Sequence, residues 1–280
     1  MGFPSMTDLY AVIGNPVAHS KSPQIHAAFA RAQSQVIDYQ RLFGDLGAFV
    51  TTVQTFRKQG GKGLNVTVPF KLEAYAYAQT LSERAQQAGA VNVLVFDGEH
   101  IRGDNTDGVG LVRDIVGNLG HAIAGKRVLL LGAGGAARGA VGPLLDEAPQ
   151  SLTIANRTAE KAQALAARFT PYAGGCRLNA TGYAALEGQQ FDVIINATSA
   201  GLNDSMPELP DGLYAQGALA YDMVYGRETP FMKHAASAGA GVADGLGMLV
   251  EQAAESFLIW RGMRPATAPV IAALRRGELA

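Results

Sequence analysis

Short apolar runs alternate with helix-like patterns from the first residues onward. Residues 9–14, Leu-Tyr-Ala-Val-Ile-Gly, form a continuous apolar run that ends on glycine, which predicts a buried strand, and residues 23–33 predict the helix after it. The pairing recurs as strand 36–43 with helix 46–59, and as strand 63–68, closed by Pro69, with helix 71–88. Residues 91–96 and 100–102 flank the turn Asp97-Gly98-Glu99 and predict a hairpin, after which Thr106 opens a helix to about residue 119. From Lys126 the rhythm is cleaner, with strands predicted at 127–131, 152–156, 192–196, 218–222 and 241–243, each an apolar run suited to a sheet covered on both faces. The tail is helical: Leu249, Ala253, Phe257 and Trp260 make an apolar stripe, with Glu251 and Glu255 on the far side. The pattern predicts two α/β units with a boundary near residue 105, the second of them doubly wound.

Length agrees with two domains, since 280 residues exceed the ~150 usual for one. Glycine is the outlier of composition, at 34 residues with no collagen-like period, and so serves loops. A net charge of -1 supplies no field for gathering a polyanion, which argues against nucleic acid as a partner. The single cysteine, Cys176, forms neither an internal disulfide nor a zinc cage, and points to a reducing compartment. No apolar run approaches the ~20 residues that span a bilayer, and residues 1–6 have neither a basic n-region nor the hydroxyl residue that myristoylation needs. The expectation is a soluble cytoplasmic protein with no membrane partner.

Strand 127–131 runs into Gly132-Ala133-Gly134-Gly135-Ala136-Ala137, a G-x-G-x-x-A ahead of a helix predicted at 138–145. One glycine makes the sharp turn, one lets a pyrophosphate approach the backbone, and a small residue sits where helix meets strand. The alternative is an ordinary strand-to-helix turn. The next strand ends in Asn156-Arg157-Thr158, without the carboxylate that holds an NAD ribose; Arg157, Thr158 and Lys161 offer donors and positive charge for a 2′-phosphate, so NADP is favoured. The bland reading of these residues is a solvated helix start capped by Thr158.

An alcohol-oxidising nicotinamide enzyme also moves a proton, which directs attention to the polar clusters of the first unit. Ser20 and Ser22 lie in a loop before Pro23, where Ser22 is equally readable as a helix cap. Asn65 and Thr67 share one face of the third strand, with Lys71 just past its end. Asp107 follows a strand end, where either it or Thr106 suits a cap; a lysine and an aspartate sharing a desolvated cleft would instead hold a hydroxyl between them. His19, His26, His100, His121 and His234 lack metal-type spacing, so no metal is expected.

These segments together resemble the shikimate dehydrogenase family over nearly the whole chain. The resemblance is carried by Gly14-Asn15-Pro16, His19-Ser20-Lys21-Ser22-Pro23, residues 65–71 (Asn-Val-Thr-Val-Pro-Phe-Lys), Ala88-Gly89-Ala90-Val91-Asn92 and Gly103-Asp104-Asn105-Thr106-Asp107-Gly108. Further on it is carried by Gly132 to Ala136, Asn156-Arg157-Thr158, Asn196-Ala197-Thr198-Ser199, Tyr221-Asp222-Met223-Val224-Tyr225 and Ala243-Asp244-Gly245-Leu246-Gly247-Met248. It implies two α/β domains around a cleft, the second a Rossmann-type parallel sheet: residues 1–105 completed by C-terminal helices 248–280, and residues 106–247 binding NADP. The implied substrate ligands are Ser20, Ser22, Asn65, Thr67, Asn92, Asp107, Tyr225 and Gln252, with Lys71 as the acid/base paired with Asp107. The implied NADP contacts are Gly132, Ala133, Gly134, Gly135, Ala136, Asn156, Arg157, Thr158, Lys161, Thr198, Ser199, Met223 and Gly245, with Glu83 as a weaker candidate. The reaction implied is reversible reduction of 3-dehydroshikimate by NADPH in aromatic amino acid biosynthesis, quinate being the nearest rival substrate, and relatives occur as monomers and as homodimers. Lys161 stands where an arginine is frequent, which keeps charge and loses the bidentate fork.

Overall fold

The computed structural model describes residues 7–200 and 204–279; residues 1–6, which bear the N-terminal reading, lie outside the described residues. The chain divides into two compact units, Met1–Gly110 with Leu249–Ala280, and Leu111–Met248.

The first unit contains β1 (Asp8–Gly14), β2 (Ile37–Phe43), β3 (Gly61–Val66), β4 (Thr80–Leu81), β5 (Val93–Asp97) and β6 (His100–Asp104), in the order β2-β1-β3-β5-β6-β4. β1 is parallel to β2 and β3, whereas β5 runs antiparallel to both β3 and β6. The hairpin expected around Asp97-Gly98-Glu99 is present, with Asp97 opposite His100 and Gly98 at φ +56°, as a two-residue turn with glycine first requires. Its helices are α1 (Ser22–Ala32), α2 (Phe49–Lys58), α3 (Lys71–Tyr77) and α4 (Glu83–Ala88), and α5 (Asp107–Val112) begins in it. The single helix expected at 71–88 is two. Ala78 turns extended at ψ 135°, Thr80 and Leu81 pair with Arg102 and Gly103, and Ser82 restarts the helix by accepting from the Ala85 amide. Gly89, left-handed at φ +61°, ends it.

Strand alternation divides the packing of this unit. Ala11 and Ile13 join Leu64, Phe49, Phe56 and Phe70 in one core, while Tyr10 and Val12 pack with Tyr39 and Trp260. Ile25 and Phe29 of α1 pack on Val250, Ala253, Ala254 and Phe257 of α9 (Leu246–Arg261) and Val270 of α10 (Ala268–Arg275), so the C-terminal helices complete this core.

The apolar stripe of α9 is as expected, but Glu251 and Glu255 are not on a solvated far side; they are only 5% and 9% exposed. The reason is a pair of arginines. Arg264 Nη1 and Nη2 donate to Glu255 Oε2 (2.7 Å) and Glu251 Oε2 (2.5 Å), and Arg84 bridges Glu255 Oε1 (3.1 Å) to Asp104 Oδ1 (2.7 Å). Thr267 donates to Glu251, and Ser82 to Asp104. Burial works against the Asp104 carboxylate, yet hydrogen bonds and charge from Arg84, with Ser82 assisting, hold its pKa below the ordinary value.

His26 is fully buried, stacked on Tyr39 with centroids 4.2 Å apart, and neither ring nitrogen reaches a hydrogen-bond partner among the described residues. Burial pushes its pKa down to about 3, with Asn65 offsetting only a little. The folded state therefore excludes a proton that the unfolded chain takes up near 6.5, so stability is full above that value and declines as pH falls toward 3. The expected contribution is a slope of about 1.4 kcal/mol per pH unit across that window. Urea unfolding at stepped pH, followed by the fluorescence of the chain's single tryptophan, Trp260, reads it in this unit, where that ring stacks on Tyr10. His26→Phe removes one proton's worth of slope; a variant with the slope of the parent would show that His26 is not its source.

The second unit is a wholly parallel sheet of β7 (Arg127–Leu131), β8 (Ser151–Ala155), β9 (Arg177–Thr181), β10 (Phe191–Asn196), β11 (Tyr214–Asp222) and β12 (Gly241–Asp244). Their order, β12-β11-β10-β7-β8-β9, is the doubly wound 3-2-1-4-5-6 pattern, with its switch point between β7 and β10. The helices α6 (Gly135–Asp146), α7 (Ala159–Phe169) and α8 (Pro230–Ser237) connect the strands. β9 is absent from the expected elements because it is an edge strand, Arg-Leu-Asn-Ala-Thr, with no continuous apolar run to announce it. The helix opened near Thr106 runs as expected to Val112 and then widens into a π-helix, Arg113–Asn118, around buried Asp114, which accepts from Tyr221 Oη at 2.6 Å.

Candidate active site

The carboxyl ends of β1 and β3 and the start of α5 bring the polar clusters of the first unit together. Lys71 is the first residue of α3, and its backbone carbonyl is tied down by the Val91 amide at 3.0 Å. Its Nζ lies 2.5 Å from Asp107 Oδ2, with the two side chains only 15% and 9% exposed. Asn92 Nδ2 donates to Asp107 Oδ1 at 2.8 Å, and Asn92 Oδ1 accepts from the Thr106 amide at 2.8 Å. Asp107 is not a helix cap here: its own amide is held by Asn105 Oδ1 at 3.2 Å, which leaves the carboxylate to Lys71 and Asn92.

Asn65 is buried at the end of β3; its Oδ1 accepts from Tyr39 Oη at 2.7 Å and its Nδ2 donates to Ser256 Oγ at 2.9 Å. Thr67 lies just beyond β3, its amide bonded to Ile13, and Gly14 gives it room, since a Cβ there would sit 2.4 Å from Thr67 Cγ2. Gln252, on α9, is 9% exposed and orients its Nε2 onto the Leu249 carbonyl. Ser20 and Ser22 are hydroxyl to hydroxyl at 3.2 Å, and Arg41 clamps the Ser20 carbonyl at 2.6 and 2.9 Å. Ser22 is inside α1 rather than at its cap, which is Lys21.

Eight of the nine expected substrate residues thus fall in the first unit; Tyr225, half-buried, is in the second. Thr106, Ser256 and Tyr39 also belong to this hydrogen-bond set and were not expected there. Ser256 had a signal: it lies four residues after Gln252, one helical turn along, and donates to its carbonyl at 2.9 Å. Such a set, with a lysine and a carboxylate beside several hydroxyl and amide donors, suits a small polyhydroxylated acid with one oxygen that gains and loses a proton.

In the second unit, Gly132 has φ +108°, and a Cβ on it would press on the Ala197 carbonyl at 3.2 Å, so glycine is required there. Gly134 is the N-cap of α6 with no side-chain cap, which suits the first-turn amides at Gly135 and Ala136 to a ligand, and among the described residues, its chain neighbours aside, none comes within 4 Å of where a Gly134 Cβ would be. Beside this cradle β8 ends at Ala155, and Arg157, Thr158 and Lys161 are exposed; Thr158 takes the cap position of α7 but its side chain makes no cap bond. Asn156 donates to the Thr158 carbonyl at 2.9 Å, shaping that turn. These features fit a dinucleotide with an extra phosphate. Thr198, Ser199, Met223 and Gly245 follow the ends of β10, β11 and β12, whereas Glu83 is in the first unit, exposed at the start of α4 and bonded to Gln87. Among the described residues, no helix is long and apolar enough to cross a membrane, and no group of three or more His, Cys, Asp or Glu is placed to hold a metal.

Comparison with known proteins covers almost all of the chain. Residues 12–94 match the shikimate dehydrogenase substrate binding domain, residues 112–203 the shikimate / quinate 5-dehydrogenase family, and residues 245–275 the shikimate 5'-dehydrogenase C-terminal domain. The NADP(+) shikimate dehydrogenase of Methylobacillus flagellatus is 61% identical over 96% of this chain and 99% of its own length, and that of Chromobacterium violaceum is 59% identical over 96% and 98%. The crystal structure of shikimate 5-dehydrogenase from Thermus thermophilus in complex with NADP(H) and shikimate superposes with a TM-score of 0.84 at 32% identity, covering 96% of this chain and 99% of that one. An Ael1 enzyme from Pseudomonas putida superposes at 0.88 with 50% identity, covering 96% and 98%.

Proposed function

The chain belongs to the shikimate dehydrogenase family, and from that premise we propose which of its residues carry out the reversible, NADP-dependent reduction of 3-dehydroshikimate to shikimate. The observation that carries the assignment is the Lys71–Asp107 pair, largely buried and held from behind by Asn92.

Bound NADPH supplies the hydride. Lys71 Nζ gives a proton to the ketone oxygen as it becomes a hydroxyl, and takes one back in the reverse direction. Asp107 keeps that nitrogen in place and accepts from the nascent hydroxyl, while Asn92 keeps the carboxylate from rotating away. The paired Ser20 and Ser22 hydroxyls offer donors to the substrate carboxylate, and Asn65, Thr67, Gln252 and Tyr225 hold the remaining ring oxygens. In the second unit, residues 132–136 hold the pyrophosphate against α6, and Asn156, Arg157, Thr158 and Lys161 hold the adenosine 2′-phosphate. Thr198, Ser199, Met223 and Gly245 belong to the nicotinamide end; Glu83 is the weakest member of the set. The same reading puts the protein in the cytoplasm, where a lone thiol such as Cys176 stays reduced.

The test is absorbance at 340 nm, comparing kcat/KM for shikimate and quinate with NADP and with NAD. Shikimate with NADP is expected to be the preferred pair, and turnover of quinate at an equal kcat/KM would assign the broader specificity instead. In the same assay Arg157→Ala should weaken NADPH by about tenfold or more, the usual size of a hydrogen bond to a charged group, while NADH changes little. Equal losses for both cofactors would remove Arg157 from the 2′-phosphate.

A further inference from the structure

Two buried side chains in the second unit have no role so far. Strands β7, β10, β11 and β12 end in register at Leu131, Asn196, Asp222 and Asp244. In the rows before this one, β10 and β11 face each other with apolar or aromatic side chains: Val193 with Leu219, Ile194 with Ala220, Ile195 with Tyr221. Only the last row is Asn196 with Asp222, and both are completely buried. Stability of the sheet alone gives no reason for the change, because burying an amide and a carboxyl group is unfavourable unless each is fully bonded.

Their bonds lead outward into three loops. Asn196 Nδ2 donates to Asp222 Oδ2 at 3.2 Å, and Asn196 Oδ1 accepts from the amide and hydroxyl of Thr198 at 3.1 and 2.7 Å. Asp222 Oδ1 accepts from the Val224 amide at 3.0 Å, and Oδ2 accepts from Thr229 Oγ1 at 2.6 Å. The Val224 carbonyl in turn accepts from the Gly245 amide at 3.0 Å. The absence of a side chain lets that loop close in, for a Cβ on Gly245 would lie 2.3 Å from the Met223 carbonyl oxygen. One hydrogen-bonded chain therefore runs Thr198, Asn196, Asp222, Val224, Gly245, through the three turns that follow β10, β11 and β12, at the sheet end where doubly wound folds bind ligands.

We infer that Asn196 and Asp222 are positioning residues for NADP: together they set the spacing of the loops that carry Thr198, Met223 and Gly245. The inference rests on reading this unit as the NADP site. The acidic group at 222 matters because all three of its partners donate to it and two of them, the Asn196 NH2 and the Val224 amide, can only donate; an amide there would point its own NH2 group at one of these. The pair is also direction-dependent. With Asp at 196 and Asn at 222, the carboxylate would still accept from Thr198, the amide would donate to it and to Thr229, and the amide oxygen would still accept from Val224.

The experiment is a swap. NADP dissociation constants are measured by fluorescence titration for the parent, Asp222→Asn, Asn196→Asp and the double variant, together with KM for shikimate and the melting temperature. Each single variant is expected to weaken NADP by about tenfold, within the range of coupling between residues of one hydrogen-bond network, while KM for shikimate, of whose proposed ligands only Tyr225 lies on these loops, rises by less than the NADP constant does. The double variant should regain NADP affinity to within about threefold of the parent, which a merely structural pair has no reason to do. If a single variant does not fold, the double variant and Thr229→Val, which removes one donor to Asp222, carry the test, the latter by a rise of about threefold. Singles that melt earlier yet bind NADP as the parent does, or a double variant no better than its singles, overturn the inference and leave the NADP reading intact. A parent that binds no NADP overturns both.

Discussion

Lys71→Ala lowers kcat by a factor of about 10² or more, with KM for shikimate and the NADP dissociation constant changed only a few-fold. The separation follows from the environment of the ammonium group. Lys71 is one of several polar groups around the substrate, but its Nζ, 2.5 Å from Asp107 Oδ2, is the group assigned to exchange a proton with the reacting oxygen. Ser20, Ser22, Asn65 and Gln252 remain in the variant to hold the ligand. A general acid or base is worth typically 10²–10⁴ in rate, far more than one exposed hydrogen bond contributes to binding. Steady-state kinetics in both directions, with shikimate binding measured separately, decides the matter: turnover near that of the parent would take Lys71 out of the proton transfer. Lys71→Met is a companion that keeps most of the packing of the stem.

The second large effect is on stability. Arg264→Met is expected to destabilise the first unit by about 3–5 kcal/mol, the usual result of removing one partner from a buried ionic cluster. Arg264 is the cation shared by Glu251 and Glu255, whose side chains are 6% and 11% exposed, and its own is 23% exposed. In the variant two buried carboxylates one helical turn apart lose the cation they share. Urea unfolding read by Trp260 measures the loss in the unit where it arises. Adding Glu251→Gln and Glu255→Gln to Arg264→Met should recover most of it, because the penalty comes from two buried carboxylates losing their shared cation rather than from a missing packing contact. A single variant within about 0.5 kcal/mol of the parent, the range of ordinary surface substitutions, would show the cluster to be energetically slack.

The residues that announced the fold were those whose local pattern and tertiary fate agree. Val128, Leu129 and Leu130 are apolar in sequence and wholly buried in β7, and the glycines after them meet the same turn in both views. The elements that went unseen depend on partners remote in sequence. Thr80 and Leu81 are strand only because β6 lies beside them, and β9 is an edge whose half-buried pattern is too short for periodicity to register. Glu251 and Glu255 mislead for the same reason: on a helix they belong to the polar face, and Arg84, 171 residues from Glu255, and Arg264 help make that face a buried one. Of the candidate site, the motif residues were visible, and resemblance joined Lys71 to Asp107. Tyr39 and Ser256 were not, since each matters through what it touches, Asn65, rather than through its neighbours in the chain.

The packing of α9 and α10 against α1 bears on the order in which the protein matures on the ribosome. Residues 1–110 emerge first, but their core lacks Val250, Ala253, Phe257 and Val270, and Asn65 lacks Ser256, until the last helices have been translated. The sheet of residues 111–248 and its buried core clusters are drawn from that span, Met248 at the start of α9 included. The half made second therefore has its core residues assembled in the chain before the half made first, whose apolar face on α1 is covered only once α9 and α10 have been made.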